Sequence, residues 1–117
     1  MTREFVLLPS FVVKWKNLGL TDEDMRRLEE EILDDPKVGP VMKETGGVRK
    51  MRFAFENRGK SGSIRVIYID FEVYEKVYFL DAYQKSEKDN LTKEERNNLR
   101  KAVEILELSL EKQKGGL

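Results

Sequence analysis

Residues 64–71 read IRVIYIDF, an almost continuous run of apolar side chains rich in β-branched residues. A run of that length and composition, bounded by polar turns, reads as a buried central strand. Its neighbours extend the pattern. From Val48 to Phe55 the sequence alternates, with Met51, Phe53 and Phe55 on one side and Lys50, Arg52 and Ala54 on the other. Strict alternation is the mark of a strand with one buried face, here with a basic outer side. Glu56 to Ser63 is polar and contains glycines, so it reads as a connecting loop. Glu72 to Glu75 can turn the chain into Lys76–Tyr83 (KVYFLDAY), another strand.

The flanking segments read differently. Glu4 to Leu8 (EFVLL) is a short apolar strand ended by Pro9, and Ser10 can cap a helix carrying Phe11, Trp15 and Leu18 up to Gly19. Thr21 opens a second helix, with Asp22, Glu23 and Asp24 in its first turn, where they complement the helix dipole. Met25, Leu28 and Ile32 form its apolar stripe, and Pro36 ends it. The glycines and prolines of 36–47 read as a loop. Thr92 with Glu95 forms a capping box for a last helix, along which Leu99, Ala102, Val103, Leu106 and Leu110 recur at helical spacing until Gly115 and Gly116. The order is β-α-α-β-β-β-α. The expected fold is α+β: a small antiparallel-rich sheet, an N-terminal helical hairpin and a C-terminal helix, with the helices packed on one face. At 117 residues, one domain spanning 1–117 is expected.

The chain has no cysteine and no histidine. That removes disulfides, thiolate nucleophiles, Cys- or His-based metal sites and the usual near-neutral general base. Any catalysis falls to Lys, Arg, Tyr, Asp or Glu, and no cofactor or metal is expected. No apolar run approaches the ~20 residues of a membrane span, and Met1-Thr2-Arg3-Glu4 does not begin a signal peptide. A cytoplasmic protein with no membrane partner is the expectation.

Lys and Arg number 22, as do Asp and Glu, but the charge is unevenly spread. Residues 43–65 hold seven basic and two acidic side chains: Lys43, Arg49, Lys50, Arg52, Arg58, Lys60 and Arg65 against Glu44 and Glu56. If the strands pair, Lys50 and Arg52 come near Arg65, with Lys60 on the loop above. Such a cluster neutralises phosphates and suits RNA or DNA. A solvated strand face is the bland alternative. Its placement on a sheet, where Lys is not a favoured residue, argues for function.

Three other features weigh less. AFENRGKS at 54–61 is a relaxed match to a phosphate-binding loop. That mechanism needs a helix after the loop, and here a strand follows, so a nucleotide triphosphatase is not expected. The segment 83–88 leaves the last strand with Tyr83, able to stack on a base, and Lys85, able to contact a phosphate. Glu29-Glu30-Glu31 with Asp34 and Asp35 reads as a solvated helix face, because consecutive helical residues point apart.

Four stretches in order, TGGVRKMR at 45–52, GKSGSIRVIYI at 59–69, YQKSE at 83–87 and DNLT at 89–92, resemble the RelE/ParE superfamily of bacterial type II toxin–antitoxin toxins. Within it they resemble the HigB-like branch, and the likeness runs over residues 5–110. The resemblance implies a ribosome-dependent endoribonuclease that cuts mRNA in the A site through attack of a ribose 2′-OH on the adjacent phosphate. In such toxins cationic groups replace the His or Glu of free-standing ribonucleases. Lys50 and Arg52 match the family's basic strand positions, Arg65 the arginine opening the next strand, and Lys85 the basic position after the last strand. Lys60 matches a loop residue more loosely, and Tyr83 is the candidate for base stacking.

On this reading Arg65, Lys60, Lys50 and Lys85 are catalytic, and Arg49, Arg52, Arg58 and Tyr83 bind RNA. Arg65 stabilises the phosphorane, since its planar fork suits phosphate oxygens. Lys50 or Lys60 serves as base if neighbouring cations depress its pKa. The implied partners are the ribosome, mRNA and a cognate antitoxin, which in the HigB-like branch is usually a helix-turn-helix protein. Two other readings stay open: a non-catalytic DNA gyrase inhibitor of the ParE kind, and a binding module whose basic face serves an acidic partner.

Overall fold

The structure is a computed structural model that describes residues 2–57, 60–87 and 90–115. The elements are β1 (Glu4–Leu7), α1 (Pro9–Asn17), α2 (Asp22–Asp34), β2 (Arg49–Asn57), β3 (Lys60–Phe71), β4 (Lys76–Gln84) and α3 (Lys93–Gly115). They form one sheet in the order β1-β4-β3-β2. β3 pairs antiparallel with both β2 and β4, and β1 joins β4 in parallel. The α+β class, the antiparallel-rich sheet, the N-terminal pair of helices and the C-terminal helix are as expected from the sequence.

Three local expectations are corrected. Ser10 does not cap α1: Leu8 is the extended N-cap residue and Pro9 occupies the first turn, where its fixed φ suits the helix and its missing N–H costs nothing. In the polar stretch from Glu56 to Ser63, Glu56, Asn57 and residues 60–63 belong to strands rather than to a loop. β2 and β3 stay paired as far as Asn57 and Lys60, because cross-strand hydrogen bonding does not depend on apolar side chains at the end of a hairpin. The helices also do not share one face of the sheet. α1 and α2 cover one side, where Phe11, Trp15, Leu28 and Ile32 pack on Phe53, Val66, Tyr68 and Phe79. α3 covers the other, where Val103 and Leu110 pack with Val48, Ile67, Ile69 and Phe71. β3 is apolar on both sides, so one layer of helices would leave Ile67, Ile69 and Phe71 in water.

The other two helix starts read from the sequence are built as capping devices. In α2, the Thr21 hydroxyl accepts from the Asp24 N–H at 3.1 Å and the Asp24 carboxylate accepts from the Thr21 N–H at 2.8 Å. In α3, Thr92 and Glu95 exchange the equivalent bonds at 3.1 and 2.9 Å. Thr21→Ala is expected to cost about 1 kcal/mol. It should lower the urea midpoint without changing the slope of the transition.

One irregularity matters for the site. Ile67 pairs with Asp81 and Tyr68 with Phe79, so Leu80 is an extra residue in β4. Val77 and Phe79 face α1 and α2, as does Ala82, while Leu80 and Tyr83 belong to the α3 side. The bulge therefore reverses the alternation part-way along the strand.

Candidate RNA-binding site

Alternation along β2 and β3 decides which basic side chains meet. Met51, Phe53, Ile64 and Val66 face α1 and α2, so Lys50, Arg52 and Arg65 lie on the α3 side. Arg52 stands directly opposite Arg65, and Arg65 directly opposite Tyr83. Lys85 follows the end of β4. These cations line an open basin of about 630 Å³ together with Pro40 and Asn90, a size within the roughly 300–1,000 Å³ of small-ligand clefts.

Among the described residues the charge in the basin is uncompensated. Among the described residues the ion pairs are Arg3–Asp70, Lys14–Asp81, Arg27–Asp24 and Lys76–Glu4. None of them involves Lys50, Arg52, Arg65 or Lys85. Like charges placed directly opposite on a sheet repel, so the Arg52–Arg65 pair is a local cost that a bound anion relieves. Four cations converging on an open basin, with no carboxylate among its described lining residues, can hold an anion such as a phosphodiester and do not suit a metal ion.

A protein-family model described as the RelE toxin of the RelE / RelB toxin–antitoxin system matches residues 11–114. The chain belongs to the RelE toxin family. Its fold is also similar to that of the E. coli toxin RelE, solved as a double arginine-to-alanine mutant in the free state, with a TM-score of 0.52 and 13% identity over 76% of this chain and 90% of that one. The chain is accordingly the toxin of a toxin–antitoxin system and has a cognate antitoxin. No helix among the described residues is long and apolar enough to cross a membrane.

Within this RelE-family fold the residues singled out from the sequence separate into three groups. Lys50, Arg52, Arg65 and Lys85 come together in the basin. Arg49 and Tyr83 do not join them in the basin. Arg49 belongs to the opposite side of β2, across from Tyr68. Its guanidinium donates to the backbone carbonyls of Gly39 at 2.7 Å and Lys37 at 3.4 Å, so it holds a loop. Tyr83 is 3% exposed and part of the core under α3. It offers no open ring face for stacking, and it supports Arg65 from the neighbouring strand. Arg58 lies outside the described residues, as does the side chain of Lys60, whose backbone pairs with Asn57.

Two lining residues were not singled out from the sequence. Asn90 sits in the DNLT stretch, where it reads as part of a helix approach. Pro40 reads as loop punctuation, and nothing local signals that its loop folds back beside Lys50.

Proposed function

We propose that this chain is a ribosome-dependent endoribonuclease of the HigB-like branch, cutting translated mRNA in the ribosomal A site. The observation that carries the reading is the quartet of Lys50, Arg52, Arg65 and Lys85 around one open basin, without an ion pair among the described residues. In a chain without histidine, such a quartet is the available machinery for phosphodiester cleavage. A base removes the 2′-OH proton, the 2′-oxygen attacks the adjacent phosphorus, the 5′-oxygen leaves with a proton, and a 2′,3′-cyclic phosphate remains.

Arg65 stabilises the equatorial oxygens of the phosphorane, its planar fork matching them two at a time. Arg52, opposite it, neutralises the same phosphate. Lys50, on the same side of β2 as Arg52 and lining the same basin, is the candidate base that takes the 2′-OH proton. Lys85, at the far rim, protonates the leaving oxygen or holds the next phosphate. Single-stranded RNA has to be splayed for in-line attack, and the ribosome supplies that constraint, which suits a basin that is open among the described residues. A helix-turn-helix antitoxin and a cytoplasmic location complete the proposal.

The test is primer extension on a defined mRNA in a purified translation system. Cuts confined to translated message, absent with Arg65→Ala, are the expected result. Cuts on free RNA would remove the ribosome from the mechanism. Intact message in the presence of folded protein would overturn the nuclease reading in favour of gyrase inhibition or simple binding.

A further inference from the structure

We infer that Pro40 is the surface on which a nucleobase packs in the basin, and that Tyr68 and Arg49 are positioning residues that hold it there; this rests on the nuclease reading above. A nucleotide presents two chemistries, an anionic phosphate and an apolar base face. The basin answers the first with Lys50, Arg52, Arg65 and Lys85, while Asn90 adds an amide. Among the described lining residues, Pro40 alone presents a side chain with no polar atom. With Tyr83 sealed under α3, the proline ring is the apolar face that the described lining offers a base.

The segment carrying Pro40 is held more firmly than a surface connection requires. The Tyr68 hydroxyl donates to the Pro36 carbonyl at 2.9 Å and accepts from the Gly39 N–H at 3.1 Å. Arg49 donates to the Gly39 carbonyl at 2.7 Å. The Lys50 N–H donates to the Pro40 carbonyl at 3.1 Å. Tyr68 is 0% exposed, and burial raises its pKa above the ordinary phenol value, so the hydroxyl keeps the proton that it donates. Gly39 lies so close to β2 that a Cβ there would stand 3.0 Å from the Lys50 carbonyl carbon and oxygen. Connecting loops are ordinarily the mobile parts of a fold. Here an anchor on the α1–α2 side of the sheet fixes a wall of a basin on the other side. A wall set in advance spares the ordering cost of binding.

The test is steady-state cleavage of a translated message by the full chain, with programmed ribosomes as the varied substrate. Pro40→Ala removes about two ring carbons from contact, and KM is expected to rise about tenfold while kcat holds. Tyr68→Phe deletes one oxygen and is expected to raise KM in the same direction. In the Pro40→Ala background Tyr68→Phe is expected to add little, because its effect on substrate passes through the missing ring. A merely structural Tyr68 would act equally in both backgrounds, and that result overturns its positioning role. An unchanged KM for a folded Pro40→Ala protein, with the unmodified chain cutting normally, overturns the platform. Failure of the unmodified, folded chain to cut translated message overturns the nuclease reading and this inference with it.

Discussion

Arg65→Ala is expected to abolish growth arrest on induction while leaving a folded protein. The side chain comes from the middle of the sheet, flanked by Arg52 on β2 and Tyr83 on β4, so its position is set by two strands rather than by a loop. A donor held in advance against developing negative charge is worth roughly 100- to 1,000-fold in kcat. No histidine is present to take over. Arg65→Lys keeps the charge and loses the fork, and is expected to retain a small fraction of the activity. Stability should move the other way. Removing one of two facing guanidinium groups relieves their repulsion, so the Arg65→Ala melting temperature is expected at or above that of the unmodified chain. Growth curves, primer extension and a thermal melt on the same variants check both halves. Full growth arrest by a folded Arg65→Ala protein would end the case for this site.

The largest loss of stability is expected from breaking the Arg3–Asp70 pair. Arg3 Nε donates to Asp70 Oδ1 at 2.7 Å and Nη2 to Oδ2 at 3.2 Å, a two-pronged contact with both side chains 6% exposed. It ties the segment before β1 to β3 across the intervening β4. Arg3→Ala leaves a carboxylate buried without its partner, which costs about 3–5 kcal/mol. In a chain of this size that is roughly a 10–20 °C fall in melting temperature. The double replacement Arg3→Met with Asp70→Leu is expected to recover most of the loss, since well-packed apolar groups can replace a buried ion pair. Equal destabilisation of single and double variants would show that the charges matter less than the shape they fill. The hydrogen bond that Arg3 donates to Asp70 and the charge of that carboxylate, opposed by burial, hold the Arg3 pKa above its ordinary value. A group whose folded pKa is raised loses its stabilisation only as pH rises through that value. For a guanidinium this lies beyond the working range, so alkaline pH is not expected to loosen the pair through Arg3.

Strands and stripes were legible in the sequence because they rest on spacing alone. The alternation of Met51 and Phe53 with Lys50 and Arg52 located β2 and its basic side. The same alternation already separates Arg49 from Lys50, and a stricter use of it excludes Arg49 from the basin. What stayed hidden depends on partners far along the chain. Periodicity along α3 marks an apolar stripe without saying which face of a sheet it covers, so its docking opposite α1 and α2 was not foreseen. The burial of Tyr83 could not be read, because an extra residue three positions earlier changes the side on which it falls. The polar ends of β2 and β3 looked like loop because local composition carries no record of cross-strand bonds. Pro40 entered the site through carbonyl and phenol contacts that no local pattern announces.

The extra residue at Leu80 also makes β4 tolerant of one kind of change and intolerant of another. Substitutions in this strand alter one side chain at a time. Deleting Leu80 would only smooth the strand, since Phe79 still meets Tyr68 and Asp81 still meets Ile67, with Ala82 and Tyr83 on their present sides. Inserting a residue between Asp81 and Tyr83 would instead push Tyr83 to the opposite side, out of the core beneath α3 and away from Arg65. Inheritance of the toxin's architecture depends, in this strand, on where its length changes: a codon lost at 80 is absorbed by the bulge, and a codon gained a few positions later is a short route to a harmless protein.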